Sequence, residues 1–161
     1  MTPPMDSAQF RQLLGRFATG VTVITTRLAD GRPAGMTANS LASVSLDPPL
    51  LSACIARAAE LYQPLMTAPG FVVNILEASQ EILARRFADS HPDRFDGVGH
   101  HQSPGGFPVL DGAMAWMECA PHATFPGGDH TILVGRLLHG GTTDGAPLLY
   151  YRGGYTDLGR A

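Results

Sequence analysis

An antiparallel, mainly β barrel with flanking helices is the fold this 161-residue sequence predicts, on three observations. Its 19 Gly and 13 Pro are too many for a helix bundle and suit strands joined by tight turns, because Gly supplies φ > 0 and Pro fixes φ at corners. Short β-branched and aromatic runs outnumber the stretches of helical period. Strands and helices do not alternate regularly, as a doubly wound parallel sheet would require, and closing the sheet into a barrel would remove its exposed edges. The length is that of one domain, with no internal repeat or linker to divide it.

Taken in order, Asp6 is placed to cap a helix in which Phe10, Leu13, Leu14 and Phe17 recur at i, i+3, i+4 and i+7. That helix is expected to pack one face and stop near Gly20. Residues 21–26 alternate β-branched side chains, and Ala29-Asp30-Gly31-Arg32 turns the chain into residues 34–37, a hairpin. Ser43-Val44-Ser45 is a short extended piece stopped by Asp47-Pro48-Pro49, and residues 50–56 resume as a buried strand. Residues 58–67 hold helix formers and Pro64, so a short or kinked helix ends before Pro69-Gly70. Residues 71–76 are the clearest central strand. Ser79 is read as the cap of a helix carrying Ile82, Leu83, Arg86 and Phe87. Residues 91–110 are irregular, and a loop of that length in a small domain is functional or interfacial rather than idle. Residues 113–125, 131–139 and 148–155 supply the remaining strands.

Composition excludes several classes of function. With 44% hydrophobic and 16% charged residues the chain folds. A net charge of -3, from 11 Lys+Arg against 14 Asp+Glu, lacks the basic footprint that nucleic acid requires. No apolar run approaches the ~18 residues of a membrane span. Residues 1–7 show neither a basic nor an apolar signal region, so a soluble cytoplasmic protein is expected. Cys54 and Cys119 lie in apolar segments and are expected to be buried free thiols. No GxGxxG follows a strand, and GxxxxGK[ST], CxxC, HExxH and GxSxG are absent. His100-His101 point to opposite faces of an extended segment, so no metal site is expected.

The segment from Gly35 to Pro49 joins small residues, short hydroxyls and an amide to a rigid Pro-Pro exit. Small side chains let a flat heteroaromatic ring approach the backbone, whose N–H and C=O groups can bond its polar edge. A flavin would suit it; a plain strand-turn-strand is the other reading.

Seven ordered blocks carry a resemblance: Phe17-Ala18-Thr19-Gly20-Val21-Thr22-Val23, Gly35-Met36-Thr37-Ala38-Asn39-Ser40, Ser43-Val44-Ser45-Leu46-Asp47-Pro48-Pro49-Leu50, Phe71-Val72-Val73-Asn74-Ile75-Leu76, Asp93-Arg94-Phe95, Glu118-Cys119 and Gly128-Asp129-His130. Together they resemble the flavin reductase family with the FMN-binding split-barrel fold, small reductases that feed two-component flavin monooxygenases. The likeness runs from about residue 10 to residue 155 of a single expected domain, 1–161. It implies a closed Greek-key split barrel, a homodimer with flavin near the subunit interface, and hydride transfer from NADH or NADPH to FMN or FAD. The reduced flavin would serve a partner monooxygenase.

By the same resemblance Thr37, Ala38, Asn39 and Ser40 match the block facing the flavin ring, and Ser43 and Ser45 its neighbouring contacts. Many members carry a Ser-Ser-x-Thr cluster for the flavin phosphate where this chain reads Ala58-Ala59-Glu60-Leu61. Hydroxyl donors are lost there, and Glu60 would repel phosphate if it faced inward. Arg57 and the N–H groups opening the next helix remain to hold an anion. Asp129 and His130 match a block on the nicotinamide side, with His130 as the catalytic candidate and Asp129 orienting it. Arg94 is read as an ion-pair partner of Asp93 or Asp96, with a cofactor phosphate as the alternative. Tyr155 and Arg152, placed in the last strand, either pack or touch flavin or a partner subunit. Two rivals stay open: a flavoprotein that retains FMN and acts on another substrate, and a non-catalytic binding module.

Overall fold

The computed structural model describes residues 4–159, so the expected domain limits at 1 and 161 fall outside the described residues. Helix α1 (Ser7–Leu14) leads into strands β1 (Thr19–Gly20), β2 (Thr22–Arg27), β3 (Pro33–Ala38), β4 (Ala42–Leu46) and β5 (Pro49–Ala56). Helix α2 (Tyr62–Thr67), strand β6 (Phe71–Ile75) and, after a 3-10 turn at Ala78–Gln80, helix α3 (Glu81–Ala88) follow. Strands β7 (His100–Gln102), β8 (Pro108–Leu110), β9 (Ala115–Gly127), β10 (His130–Thr142), β11 (Leu149–Tyr151) and β12 (Gly154–Thr156) complete the chain.

Seven strands form one antiparallel sheet in the order β3-β2-β6-β9-β10-β5-β4. The chain leaves β5 through α2 and places β6 beside β2, not beside β5. The mainly β, antiparallel architecture is the one predicted. The two ends of the sheet, β3 and β4, are consecutive in the chain, and residues 39–41 between them belong to no strand. That interruption matters, because main-chain polar groups there are outside the sheet's ladder.

Strands β2 and β6 read as nearly continuous apolar or β-branched runs because both their faces are covered. Ile24, Phe71 and Val73 point into a core with Leu51, Ile55, Leu65 and Leu133, whereas Val23 joins Leu76, Ala84, Phe87, Leu110 and Leu148 under α3. Burying each such side chain stabilises the fold by ~1.5–3 kcal/mol. Asn74, fully buried in β6, donates from Nδ2 to Val23 O at 3.0 Å and to Thr25 Oγ1 at 3.1 Å, and its Oδ1 accepts from Leu110 N at 2.9 Å. It thereby ties the irregular 91–110 segment, which contains the β7–β8 hairpin, to the sheet.

Four local expectations are corrected. Asp6 caps α1 as foreseen, in a reciprocal box with Gln9, but the helix stops at Gly15 and its apolar stripe is uncovered: Phe10, Leu13 and Leu14 are exposed and Phe17, beyond the helix end, is 72% exposed. Gly15 ends the helix because its carbonyl is taken by Arg152 N at 2.8 Å. Ser79 is not a cap; Glu77 accepts from Ser79 N at 2.8 Å and Gln80 bonds back to Glu77 N, and Ile82 faces solvent. The hydrogen bonds from Ser79, side chain before backbone, hold the Glu77 carboxyl below its usual range. The expected strand over 148–155 is a hairpin, β11–β12, broken at Arg152 (φ 52) and Gly153 (φ 83), two successive left-handed residues of the kind that close tight hairpins. Cys54 is exposed, because β5 alternates and turns Leu51, Ala53 and Ile55 inward.

Cys119 is buried, as expected, and burial followed by the charge of Glu118 pushes its thiol up to about 12. Thiol titration at mildly alkaline pH is therefore expected to label Cys54 alone in the folded protein and both cysteines in denaturant, and Cys54→Ser should abolish the native-state reaction. The unfolded chain ionises Cys119 at lower pH than the folded one does. This contribution to stability is thus complete below the ordinary thiol range and is lost as pH climbs toward about 12. Among the described residues no helix is long and apolar enough to cross a membrane, and no group of three His, Cys, Asp or Glu side chains is poised to hold a metal.

Candidate functional site

Where β3 leaves the sheet a cleft of about 460 Å³ opens. It is lined by Met36, Thr37, Ala38 and Asn39 at the end of β3, by Ala58, Ala59, Glu60 and Leu61 after β5, and by the end of α3 with Ser90 and Arg94. Tyr150 and Tyr155 of the β11–β12 hairpin complete the lining, their rings edge-to-face at 5.3 Å. The hairpin reaches this position because β11 pairs with β1 and Val21 N bonds Leu148 O at 3.1 Å.

Two threonines shape the wall without offering their hydroxyls. Thr37 Oγ1 donates to Ala84 O of α3 at 2.6 Å, and Thr22 Oγ1 donates to Ala38 O at 2.7 Å. Thr37 thus presents main chain and a methyl group to the cleft. The Arg85 guanidinium stacks 4.9 Å above the Tyr155 ring, and burial raises the Tyr155 hydroxyl above the ordinary phenol range, leaving it a neutral donor at physiological pH.

Of the residues singled out from sequence, Thr37, Ala38, Asn39 and Tyr155 line the cleft together. Ser40, Ser43, Ser45, Arg57, Asp129 and His130 lie outside its lining. Ser40 Oγ accepts from Cys54 N at 2.9 Å and bonds Cys54 O at 3.2 Å, pinning the 39–41 crossing to β5. Ser43 and Ser45 flank a register shift in the β4–β5 pairing. Arg57 is exposed, and its N–H donates to Asp129 O at 3.0 Å, joining the β5 end to the β9–β10 hairpin. At that hairpin Asp129 Oδ1 and His130 Nδ1 are 2.7 Å apart. The hydrogen bond and charge of His130 hold the Asp129 carboxyl below its usual range. The carboxylate is then ionised at neutral pH and only accepts, so Nδ1 carries the proton and Nε2 is left for a ligand. Arg152 is the hairpin's turn residue and not part of a strand.

Arg94 takes neither expected partner. Its Nη2 pairs with Glu60 Oε2 at 3.0 Å, Nε donates to Asp89 O at 2.7 Å and Nη1 to Gly35 O at 3.1 Å, while the Asp93 and Asp96 carbonyls are bound by Arg86. Beyond the Arg94–Glu60 pair lies a second cleft of about 470 Å³, walled by Leu28, Arg32, Pro33, Gly35, His91 and Asp93. Phe87, Arg94 and Tyr150 are the site residues that sequence reasoning missed or placed elsewhere. Only the Asp93-Arg94-Phe95 block carried a signal for any of them.

The residues present fit a flat heteroaromatic ring with an anionic tail. Small side chains at Ala38, Ala58 and Ala59 leave the slot open, main chain outside any strand supplies polar partners at Asn39, aromatic rings flank it, and the Arg94 cation stands on its lining.

Comparison with known proteins agrees with this chemistry. Residues 14–159 match the family described as flavin reductase like domain. The stachydrine N-demethylase reductase subunit of Rhizobium meliloti (strain 1021) is 42% identical over 150 residues, 93% of this chain and 65% of that protein. The reductase subunit of a flavin-dependent monooxygenase from Rhodococcus jostii (strain RHA1) is 37% identical over 155 residues, 96% of this chain and 79% of that protein. Among solved structures, the Streptomyces globisporus C-1027 NADH:FAD oxidoreductase in complex with NAD and FAD fragments superposes with a TM-score of 0.91 at 41% identity, covering 97% of this chain and 94% of the other.

Proposed function

The chain belongs to the flavin reductase like family, and on the geometry of its cleft we propose that it reduces free flavin, FMN or FAD, with NADH or NADPH and passes the product to a partner monooxygenase. The observation that carries this reading is the slot itself, walled by the main chain of β3 and residue 39, rimmed by Ala58 and Ala59, and ended by the fixed guanidinium of Arg94. Bound there, the flavin supplies an acceptor for the nicotinamide's hydride.

The protein's own part is placement and electrostatics. Unladdered main chain at Asn39 meets the ring's polar edge, Thr37 fixes the wall by its bond to α3, and the tyrosine hairpin excludes water from one side. His130, its Nδ1 proton fixed by Asp129 and its Nε2 left for a ligand, is assigned to the nicotinamide, with the Arg57 charge beside Asp129. Ser40, Ser43 and Ser45 support the ledge from β4 and β5. The relatives named as reductase subunits support a monooxygenase partner. A homodimer is part of the proposal, a second copy covering the exposed stripe of Phe10, Leu13 and Leu14; sedimentation that returned only monomer would remove it. The domain is taken as one unit acting in the cytoplasm.

Anaerobic stopped-flow mixing of the protein with each nicotinamide and each flavin tests the proposal. The expected result is oxidation of NADH or NADPH stoichiometric with bleaching of the flavin's visible absorption. No oxidation of either nicotinamide with either flavin would end it.

A further inference from the structure

At the seam between the two clefts a residue of this chain stands where ligand charge would go. Arg94 is nearly enclosed, its side chain 14% exposed, while that of Glu60 is 61% exposed. Two of the guanidinium's bonds go to main chain, at Asp89 just past α3 and at Gly35 in β3; the third goes to the Glu60 carboxylate. The cation is therefore held by backbone, and the carboxylate arm alone can swing away without breaking a backbone hydrogen bond. Both residues face both clefts. With Nε and Nη1 taken by main chain, Nη2 is the donor left to the clefts, and Glu60 occupies it through one oxygen, the contact a single phosphate oxygen would make.

Resting on the reading of the cleft as a flavin site, we infer that Arg94 is the cation that receives the flavin's phosphate and that Glu60 is a built-in competitor displaced when the phosphate arrives. Glu60 then sets how loosely phosphorylated flavins are held. Riboflavin, which has no phosphate, escapes the competition, whereas FMN and FAD must displace the carboxylate and then sit beside its negative charge. A protein that releases its reduced product to another enzyme needs such exchangeable binding. The position that lacks hydroxyl donors in Ala58-Ala59-Glu60-Leu61 thus does more than lose contacts.

Fluorescence titration of riboflavin, FMN and FAD against wild type, Glu60→Gln, Arg94→Gln and the double variant tests this without turnover. Glu60→Gln is expected to tighten FMN and FAD by about fivefold or more and to leave riboflavin within about twofold. Arg94→Gln should weaken FMN and FAD by about tenfold or more, and in that background Glu60→Gln should change nothing beyond about twofold. Glu60→Ser, at the same exposed position, should repeat the Glu60→Gln shift. Equal movement of riboflavin and FMN, weaker binding in Glu60→Gln, or an undiminished effect in the Arg94→Gln background would overturn the inference while leaving the flavin reading intact. Failure of all three flavins to bind wild type would instead sink the flavin reading, and this inference with it.

Discussion

Gly135→Ala is expected to lower the melting temperature by roughly 6–12 °C, the result of ~3 kcal/mol of overpacking at ~2–4 °C per kcal/mol for a chain of this size. A Cβ built on Gly135 meets Phe71 Cζ at 2.5 Å and Cys119 Cβ at 3.0 Å. Phe71 and Cys119 are fully buried and belong to the same core, so neither can step aside without moving its own neighbours. Gly135 sits in β10 at a register shift opposite β9. Gly20→Ala is the control: nothing lies within 4 Å of its added Cβ, and its expected effect is neutral or a gain of under ~1 kcal/mol from the unfolded chain. Calorimetry of the two variants side by side checks the contrast. Equal melting temperatures would mean that the core around Phe71 has slack that the packing does not show.

The fold was legible wherever a local pattern and its tertiary consequence coincide. Val23 and Ile24 in β2, and Phe71 to Val73 in β6, are apolar on both faces because both faces are buried, and an apolar run says as much. The helix at α1 was legible as a helix, but its periodicity cannot say whether its stripe meets the core or another molecule, and here the stripe is open. The hairpin within 148–155 was hidden because it depends on Arg152 at positive φ, a conformation that non-glycine residues seldom adopt. Ser79 failed as a cap because it lies inside the 3-10 turn before α3 and its hydroxyl donates to Glu77 Oε2 at 2.5 Å.

The candidate site divides along the same line. Thr37, Ala38 and Asn39 are contiguous and could be read as one ledge. Phe87, Arg94 and Tyr150 reach the cleft from α3, from the loop after it and from a hairpin fastened to β1, and no spacing in the chain announces that meeting. Arg94 shows the physical reason most clearly. Asp93 and Asp96 are close in sequence, but main-chain carbonyls of Asp89 and Gly35 hold the guanidinium, and the fold offers it Glu60 from 34 residues away.

Ala59→Trp is expected to cut kcat/KM for flavin by about 100-fold, close to 2.8 kcal/mol of lost transition-state stabilisation, and to leave the melting temperature near that of wild type. Ala59 is half-buried on the rim of the 460 Å³ cleft, and its N–H already bonds Ala56 O at 3.0 Å, so the backbone at that point is held and the side chain faces the slot. An indole there shares the lining with Tyr150 and Tyr155 and fills by itself the space a ring system would enter. The side chain adds apolar contact without displacing a core residue, which is why stability should hold while binding fails. The loss should fall on binding, seen as a raised KM and dissociation constant for riboflavin, FMN and FAD alike, since the obstruction is to the ring and not to the phosphate. That pattern separates it from the Glu60 and Arg94 variants, which discriminate among the three flavins. Wild-type affinity for riboflavin in Ala59→Trp would place the ring somewhere other than this cleft, and the assignment of Thr37, Ala38 and Asn39 as its wall would fall with it.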